Sequence, residues 1–194
     1  MTRAVSRPTV TQACLDAISE AEARHVLWSG GVTMRAAPES LVQAIVAESL
    51  GSAGVRLLLE VSLKDLRAIA QGVVLSSESD SKNGRVDLAV YYKSKMPRFV
   101  IEIKKVQSKT ALLSDCRRIH DLLRDCPSIQ NGLMIGYTVA ARLNTVNDRL
   151  NGIVQITGSR IVRLLKPLPV INKRSAPRFL GAAVYRVDRT QPKP

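Results

Sequence analysis

The chain has 194 residues, of which 45% are hydrophobic, which is enough for the core of one domain and excludes wholesale disorder. Lysine and arginine number 29 against 16 acidic residues, and the net charge of +13 favours a polyanionic partner, most often nucleic acid, over a merely solubilising surface. Three cysteines without a CxxC pair and two isolated histidines argue against a disulfide framework, a structural zinc site and Ser-His-Asp or Cys-His catalysis.

The sequence predicts neither secretion nor a membrane span. Arg3 and Arg7 are not followed by the apolar run of a secretory signal. No stretch approaches the roughly 20 apolar residues that a membrane helix needs. We therefore expect a soluble, cytoplasmic protein without a membrane partner.

Hydrophobic periodicity and turn residues predict helices that alternate with strands. Residues 1–10 are predicted to be a flexible lead-in, residues 11–194 a single domain, and residues 76–84 a polar loop. The predicted elements, in chain order, are a helix from Thr11 to the pair Gly30-Gly31, a helix from Pro38 to Gly51, a strand at 55–63, strands at 85–92 and 98–105, a helix at 109–126, a strand at 132–139, a helix at 141–150, and strands at 161–168 and 179–187. Residues 64–75 are ambiguous, with a short helix as one alternative.

The order of these elements predicts an α/β fold. The strands at 85–92 and 98–105 are joined by a short link and form a hairpin. A helix connects that hairpin to the strand at 132–139, and such a crossover connection implies parallel pairing. We therefore expect a central mixed β-sheet flanked by helices on both faces.

The predicted hairpin brings charged side chains together on one face. Side chains alternate between the two faces of a strand, and a turn centred between Ser94 and Lys95 places Asp87 directly opposite Glu102. Lys104 lies two residues further along and shares their face. The opposite face carries an unbroken apolar set, Leu88, Val90, Phe99, Ile101 and Ile103.

Two facing carboxylates repel each other unless something compensates their charge. Mg²⁺ does so well, because it prefers hard carboxylate oxygens and also binds phosphate oxygens. Lys104 is placed to orient or help deprotonate an attacking water and to stabilise the developing negative charge. The alternative is a solvated strand face with a cross-strand salt bridge.

The segments GRVD and VIEIKK, joined by a short turn, resemble the signature of the PD-(D/E)XK nuclease superfamily. The resemblance implies a restriction-endonuclease-like core at about residues 38–139, with Val86 in the position of the name-giving proline. It implies that Asp87 and Glu102 bind Mg²⁺, which Mn²⁺ can replace, and that Lys104 serves the attacking water. It also implies an acidic residue on the preceding helix, for which we favour Glu39 over Glu48.

The resemblance further implies that the helix after the motif borders the substrate. Candidate nucleic-acid contacts are Lys105, Gln107, Arg117 and Arg118. The expected substrate is nucleic acid, with DNA preferred, and a homodimer remains open because many nucleases of this fold dimerise to cut both strands. Two alternatives to an active nuclease are a nuclease-fold subunit that only binds DNA or assembles, and a basic protein-interaction module.

Overall fold

A six-stranded mixed β-sheet with helices on both faces organises the chain in its computed structural model. The structure describes residues 6–72, 84–92, 94–107, 109–170 and 177–189. The elements are α1 (Arg7–Trp28), a short 3₁₀ helix (Met34–Ala36), α2 (Glu39–Ser52), β1 (Leu57–Ser62), α3 (Leu63–Ala70), β2 (Arg85–Tyr91), β3 (Pro97–Lys105), α4 (Lys109–Asp125), β4 (Asn131–Ala140), α5 (Leu143–Thr157), β5 (Arg160–Val170) and β6 (Arg178–Val187).

The strand order is β1-β2-β3-β4-β6-β5. β3 and β4 pair in parallel, and α4 is the crossover helix between them. The other neighbouring strands pair antiparallel. The prediction of an α/β fold with a mixed sheet is therefore confirmed.

Two apolar layers cover the sheet, because side chains alternate between its faces. On one face α1 and α2 pack against the apolar set that the sequence predicted for β2 and β3. On the other face α3, α4 and α5 form a second buried cluster against the sheet. None of the helices in the described ranges is long and apolar enough to cross a membrane.

The start of α1 corrects the prediction for the first ten residues. The helix begins at Arg7 and not at Thr11, so residues 7–10 are helical and do not belong to a flexible lead-in. The Ser6 hydroxyl caps it by accepting a hydrogen bond from the Thr9 amide at 3.3 Å, and Pro8 lies in the first turn. Residues 1–5 lie outside the described residues.

Three other segments refine the predicted boundaries. α3 settles the ambiguous stretch as a short helix, whose N-terminus is capped by Ser62 through the Asp65 amide. α5 continues seven residues beyond its predicted end at residue 150, to Thr157, and Gly158 then closes it with a φ of 67°. Of the predicted polar loop at 76–84, only Gly84 lies within the described residues.

The packing of α4 on β4 leads to a stability prediction. A Cβ atom on Gly132 would contact the Ile119 side chain and come within 2.9 Å of Leu123 Cδ1, so Gly132→Ala overpacks this layer. We expect it to lower the free energy of unfolding by about 1–3 kcal/mol. Gly152→Ala in α5 is the matched control, because its added Cβ would meet no described atom within 4 Å other than its chain neighbours and the adjacent backbone of its own helix.

Since alanine favours a helix interior over glycine, we expect the control to raise the free energy of unfolding by about 0.5–1 kcal/mol. Urea denaturation of both variants measures the two effects. Equal stability of the two variants would contradict the close α4–β4 contact.

Candidate functional site

The register of the β2–β3 hairpin brings the predicted acidic pair together. Leu88 pairs with Ile101 and Ala89 with Val100, and the same register places Asp87 opposite Glu102. The register changes only towards the turn, between Val90 and Tyr91, so that a bulge separates the turn from the site. The predicted register is therefore retained next to the two carboxylates, although the strand pairing beside the turn is shifted by one residue from the prediction.

Asp87 and Glu102 form a buried, hydrogen-bonded carboxyl pair. Asp87 Oδ2 accepts a hydrogen bond from the Ile103 amide at 2.6 Å, which favours its ionised form. Burial nevertheless raises the pKa of Asp87. Burial, and then the negative charge of Asp87, raise the pKa of Glu102 to about 9. Burial and the charge of Asp87 thus favour the protonated form of Glu102, whose side chain is hydrogen-bonded to that of Asp87.

Lys104 lies between two further carboxylates. Its Nζ atom is 3.4 Å from Glu39 Oε2 and 3.6 Å from Asp115 Oδ2. Burial acts to lower the pKa of Lys104, but the carboxylates around it, Asp115 foremost, outweigh burial and raise that pKa above its ordinary value. The Lys104 side chain is therefore a fixed positive charge at neutral pH.

Arg118 and Asp115 complete the site from α4. Arg118 Nε and Nη2 donate to Glu102 Oε1 at 3.0 and 2.8 Å, and Nη2 also donates to Asp115 Oδ1. The sequence prediction assigned Arg118 to phosphate contact and did not include Asp115 in the site. The available signal was the position of Asp115 beside the apolar stripe of α4, where an acidic residue is buried on folding.

The acidic residue contributed by α2 is Glu39. It is the first residue of the helix, and its Oε1 atom accepts a hydrogen bond from the Lys105 amide at 2.9 Å. Glu48, the other candidate, instead forms an exposed ion pair with Arg24 at 2.7 Å. The structure therefore joins only the favoured candidate to the carboxyl pair and Lys104.

The remaining candidates for nucleic-acid contact are distributed around this site. Lys105 Nζ donates to the carbonyl oxygens of Arg35 and Ala37, at 3.0 and 2.9 Å. Gln107 and Arg117 are exposed to solvent. The structure thus groups Lys105 with the site and uses Arg118 within it.

We refer to these side chains as the acid cluster, which consists of Glu39, Asp87, Glu102, Lys104, Asp115 and Arg118. Its four carboxyl groups outnumber its two cations, so it carries two negative charges when fully ionised and one when Glu102 is protonated. Such an excess of buried negative charge favours the binding of a cation.

The donor set of the acid cluster suits Mg²⁺ with waters and phosphate rather than a complete protein cage. Within the described ranges, no three His, Cys, Asp or Glu side chains form a group able to hold a metal ion. Mg²⁺ is usually bound by only one or two carboxylates, together with waters and substrate phosphates. Asp87 and Glu102 provide two on adjacent strands, and the buried Oδ2 atom of Asp115 makes no hydrogen bond with the described residues.

Comparisons of this chain with protein-family models, with curated proteins and with solved structures find no match.

The raised pKa of Glu102 predicts that stability falls as the pH rises. Its pKa in the folded protein, about 9, lies above the ordinary value of 4.5, so folding takes up a proton between these values. The free energy of unfolding should then decrease from about pH 5 to pH 9, by at most about 1.4 kcal/mol per pH unit from this group. Glu102→Gln removes the titrating group while keeping its shape, so the decrease should become shallower.

Chemical denaturation across this pH range measures the effect. Asp148→Asn, which removes an exposed carboxylate from α5, is the control and should retain the slope of the wild type. A Glu102→Gln variant with an unchanged slope would show that Glu102 is ionised in the folded protein.

Proposed function

We propose that the chain is a metal-dependent nuclease of the PD-(D/E)XK superfamily, with a restriction-endonuclease-like fold, that hydrolyses phosphodiester bonds of DNA. The observation that carries the proposal is the buried carboxyl pair, Asp87 and Glu102, on adjacent strands beside the charged Lys104. This arrangement has an excess of negative charge and adjacent oxygen ligands. Both features are what a divalent cation at a phosphodiester needs.

Asp87 and Glu102 would hold Mg²⁺, or Mn²⁺ in its place. The bound ion would polarise the phosphate and stabilise its negative charge. Glu102 would lose its proton to solvent on becoming a ligand, and Arg118, which donates to Glu102 in the structure, would stabilise the resulting carboxylate. Asp87 is fixed in orientation by the Ile103 amide.

Lys104 fits a role as a charge stabiliser better than a role as a base. Its raised pKa keeps it protonated, so it cannot accept the proton of an attacking water at neutral pH. Its three N–H groups can orient that water and stabilise the charge that develops on phosphate oxygens. The water oxygen would bond to phosphorus as the bond to the leaving sugar oxygen breaks; the proton of the attacking water would pass to a solvent water, and the leaving oxygen would take a proton from solvent.

The overall charge of the protein supports a nucleic-acid substrate. A net charge of +13 attracts a polyanion over a long range and makes its binding dependent on salt. The acid cluster repels phosphate at short range unless a cation is bound there. Binding of nucleic acid and binding of metal at the site would therefore support each other. A cytoplasmic protein, acting as a monomer or as a homodimer, fits this proposal.

The second candidate is a nuclease-fold subunit that binds DNA or assembles without cutting it. It is favoured by one observation, that Arg118 and Lys104 already compensate much of the acidic charge. The Arg118 guanidinium group, which is hydrogen-bonded to Glu102, compensates a negative charge that a metal ion would otherwise compensate. This candidate predicts salt-dependent DNA binding without metal binding, whereas a basic protein-interaction module predicts neither.

The central test is DNA cleavage by carboxyl-pair and lysine variants. Asp87→Asn keeps the acceptor for the Ile103 amide but removes the negative charge, and should abolish Mg²⁺-dependent cleavage of plasmids and oligonucleotides. Lys104→Met should reduce the cleavage rate by about 10²–10³, the usual cost of losing one group that stabilises transition-state charge.

Asp148→Asn and Lys64→Met change exposed residues on α5 and α3 and serve as matched controls that should cut at the wild-type rate. Wild-type protein that binds DNA but neither binds Mg²⁺ nor cuts any form of nucleic acid would favour the second candidate. Cleavage that persists in Asp87→Asn would contradict the assignment of the acid cluster as the nuclease site.

A further prediction concerns the number of protons that the protein releases when it binds Mg²⁺. Since Glu102 is protonated in the free protein at neutral pH, Mg²⁺ binding at pH 7–8 should release about one proton per ion. Calorimetric titration in two buffers of different ionisation enthalpy measures this number. Glu102→Gln should bind Mg²⁺ more weakly and release none, and proton release that is the same in this variant would place the ion elsewhere.

A further inference from the structure

A polar cavity adjoins the acid cluster at the carboxyl ends of the parallel strands β3 and β4. Its volume is about 260 Å³, below the roughly 300–1,000 Å³ typical of pockets for drug-sized ligands, so it suits a small polar group. It lies between the 3₁₀ helix, the end of β3, and α5. Its polar lining consists of Arg35, Lys105, Gln107, Tyr137, Thr138 and Arg149.

The cavity is lined by three cationic side chains, from Arg35, Lys105 and Arg149, and by no acidic side chain among the described residues. Lys105 uses two of its three N–H groups on the carbonyl oxygens of Arg35 and Ala37, which fixes the ammonium group at the cavity wall. Arg149 Nη1 donates to Thr138 Oγ1 at 3.0 Å, which leaves four of its five N–H groups for a ligand. Positive charge and oriented donors thus converge on one small space.

The cavity wall also contains two residues with buried hydroxyl groups, Tyr137 and Thr138. Tyr137 is fully buried, and its hydroxyl group has no hydrogen-bond partner within the described residues. Burial, and then the charge of Glu39, raise the pKa of Tyr137, so the hydroxyl remains a donor. Thr138 is only 1% exposed, and its hydroxyl oxygen accepts from Arg149, so its hydrogen is available to donate. A buried donor without a partner costs free energy unless a ligand satisfies it.

We propose that this cavity is a binding site for a phosphate group. Phosphate offers several strong acceptor oxygens and a negative charge, which match three cations and two hydroxyl donors; arginine in particular binds phosphate through paired N–H groups. Glu39, whose charge acts on Tyr137, accepts hydrogen bonds from the Lys105 amide and the Lys104 ammonium group. The assignment of this phosphate group to a nucleic acid rests on the proposed function.

The cavity and the acid cluster are joined by consecutive residues of β3. Lys104 belongs to the acid cluster, and Lys105, next in the strand, lines the cavity. The Lys105 amide also holds Glu39 of the acid cluster. A phosphate in the cavity would therefore be held at a fixed distance from a phosphodiester at the acid cluster.

The experiment is a calorimetric titration of inorganic phosphate into the full chain, in EDTA so that no metal ion contributes. We expect saturable binding to the wild type. Arg149→Gln keeps a donor for Thr138 but removes the charge, and should weaken binding about tenfold or more, the usual effect of losing a charge-assisted hydrogen bond. Arg163→Gln, an exposed arginine of β5, is the control and should bind as the wild type does.

Tyr137→Phe separates ligand binding from folding. It keeps the buried ring and removes only the hydroxyl, so it should weaken phosphate binding several-fold without lowering the thermal midpoint. Absence of saturable phosphate binding by the wild type would overturn the proposal. So would phosphate affinities of Arg149→Gln and Tyr137→Phe equal to that of the wild type.

Oligonucleotides with a 5′-phosphate or a 5′-hydroxyl distinguish the sources of the phosphate. A preference for the 5′-phosphate that Arg149→Gln abolishes identifies a terminal phosphate, and equal affinities that both fall in Arg149→Gln identify a backbone phosphate. If Arg149→Gln left the affinity for oligonucleotides unchanged, the assignment of the phosphate to nucleic acid would be overturned. Asp87→Asn should retain phosphate binding, so failure of the cavity and failure of the nuclease proposal give different results.

Discussion

The burial of two carboxyl groups side by side, Asp87 and Glu102, is the constraint on which the rest of the site depends. Two like charges cannot both be ionised in a dry interior without compensation. The protein compensates in three ways: the raised pKa of Glu102 favours its neutral form, the Ile103 amide donates to Asp87, and the Arg118 guanidinium group donates to Glu102. Each of these requires a particular piece of the fold, namely the hairpin register, the path of β3, and the position of α4. A shift of one residue in the hairpin would disrupt the arrangement.

Such an arrangement is not what stability alone would favour. Buried ion pairs and charged networks can often be replaced by apolar side chains of similar volume without loss of stability. Here one face of β3 carries Glu102 and Lys104, whereas the other carries the buried Phe99, Ile101 and Ile103 beside them. Sites at which a protein departs locally from the rules of folding, with strongly shifted pKa values, tend to be functional sites. On these grounds the acid cluster is better regarded as a functional site than as a set of salt bridges.

The parts of this structure that could be predicted from sequence are those fixed by neighbours along the chain. Side-chain alternation and a short turn were sufficient to place Asp87 opposite Glu102, because the pairing of a hairpin is local. The order of helices and strands was predictable for the same reason. The capping of α1 by Ser6 was also a local signal, but it was outweighed by the polar composition of the first residues. The insertion of β6 between β4 and β5 depends on distant contacts that no local pattern encodes.

The same limit explains which site residues were missed. The role of Asp115 follows from how α4 packs across the sheet, and the pairing of Arg118 with Glu102 is a tertiary contact between a helix and a strand. The cavity draws Arg35 and Arg149 from elements more than a hundred residues apart. By contrast, Lys105 was predictable because it follows the ExK pattern directly, although its link to Arg35 was not.

The distribution of charge also explains how a strongly basic protein can contain an acidic centre. Long-range attraction depends on the net charge of +13, whereas the acid cluster acts only over a few ångströms within the fold. In the proposed function, a nucleic acid would be drawn to the protein as a whole but repelled at the acid cluster until a cation neutralised it. The neighbouring cavity is lined by cationic side chains, so the phosphate proposed for it would need no metal. Lys104 and Lys105 are consecutive in one strand and join the two sites. If both proposals hold, attraction at the cavity would hold a phosphate chain across the acid cluster, and metal binding there would determine whether the chain can approach.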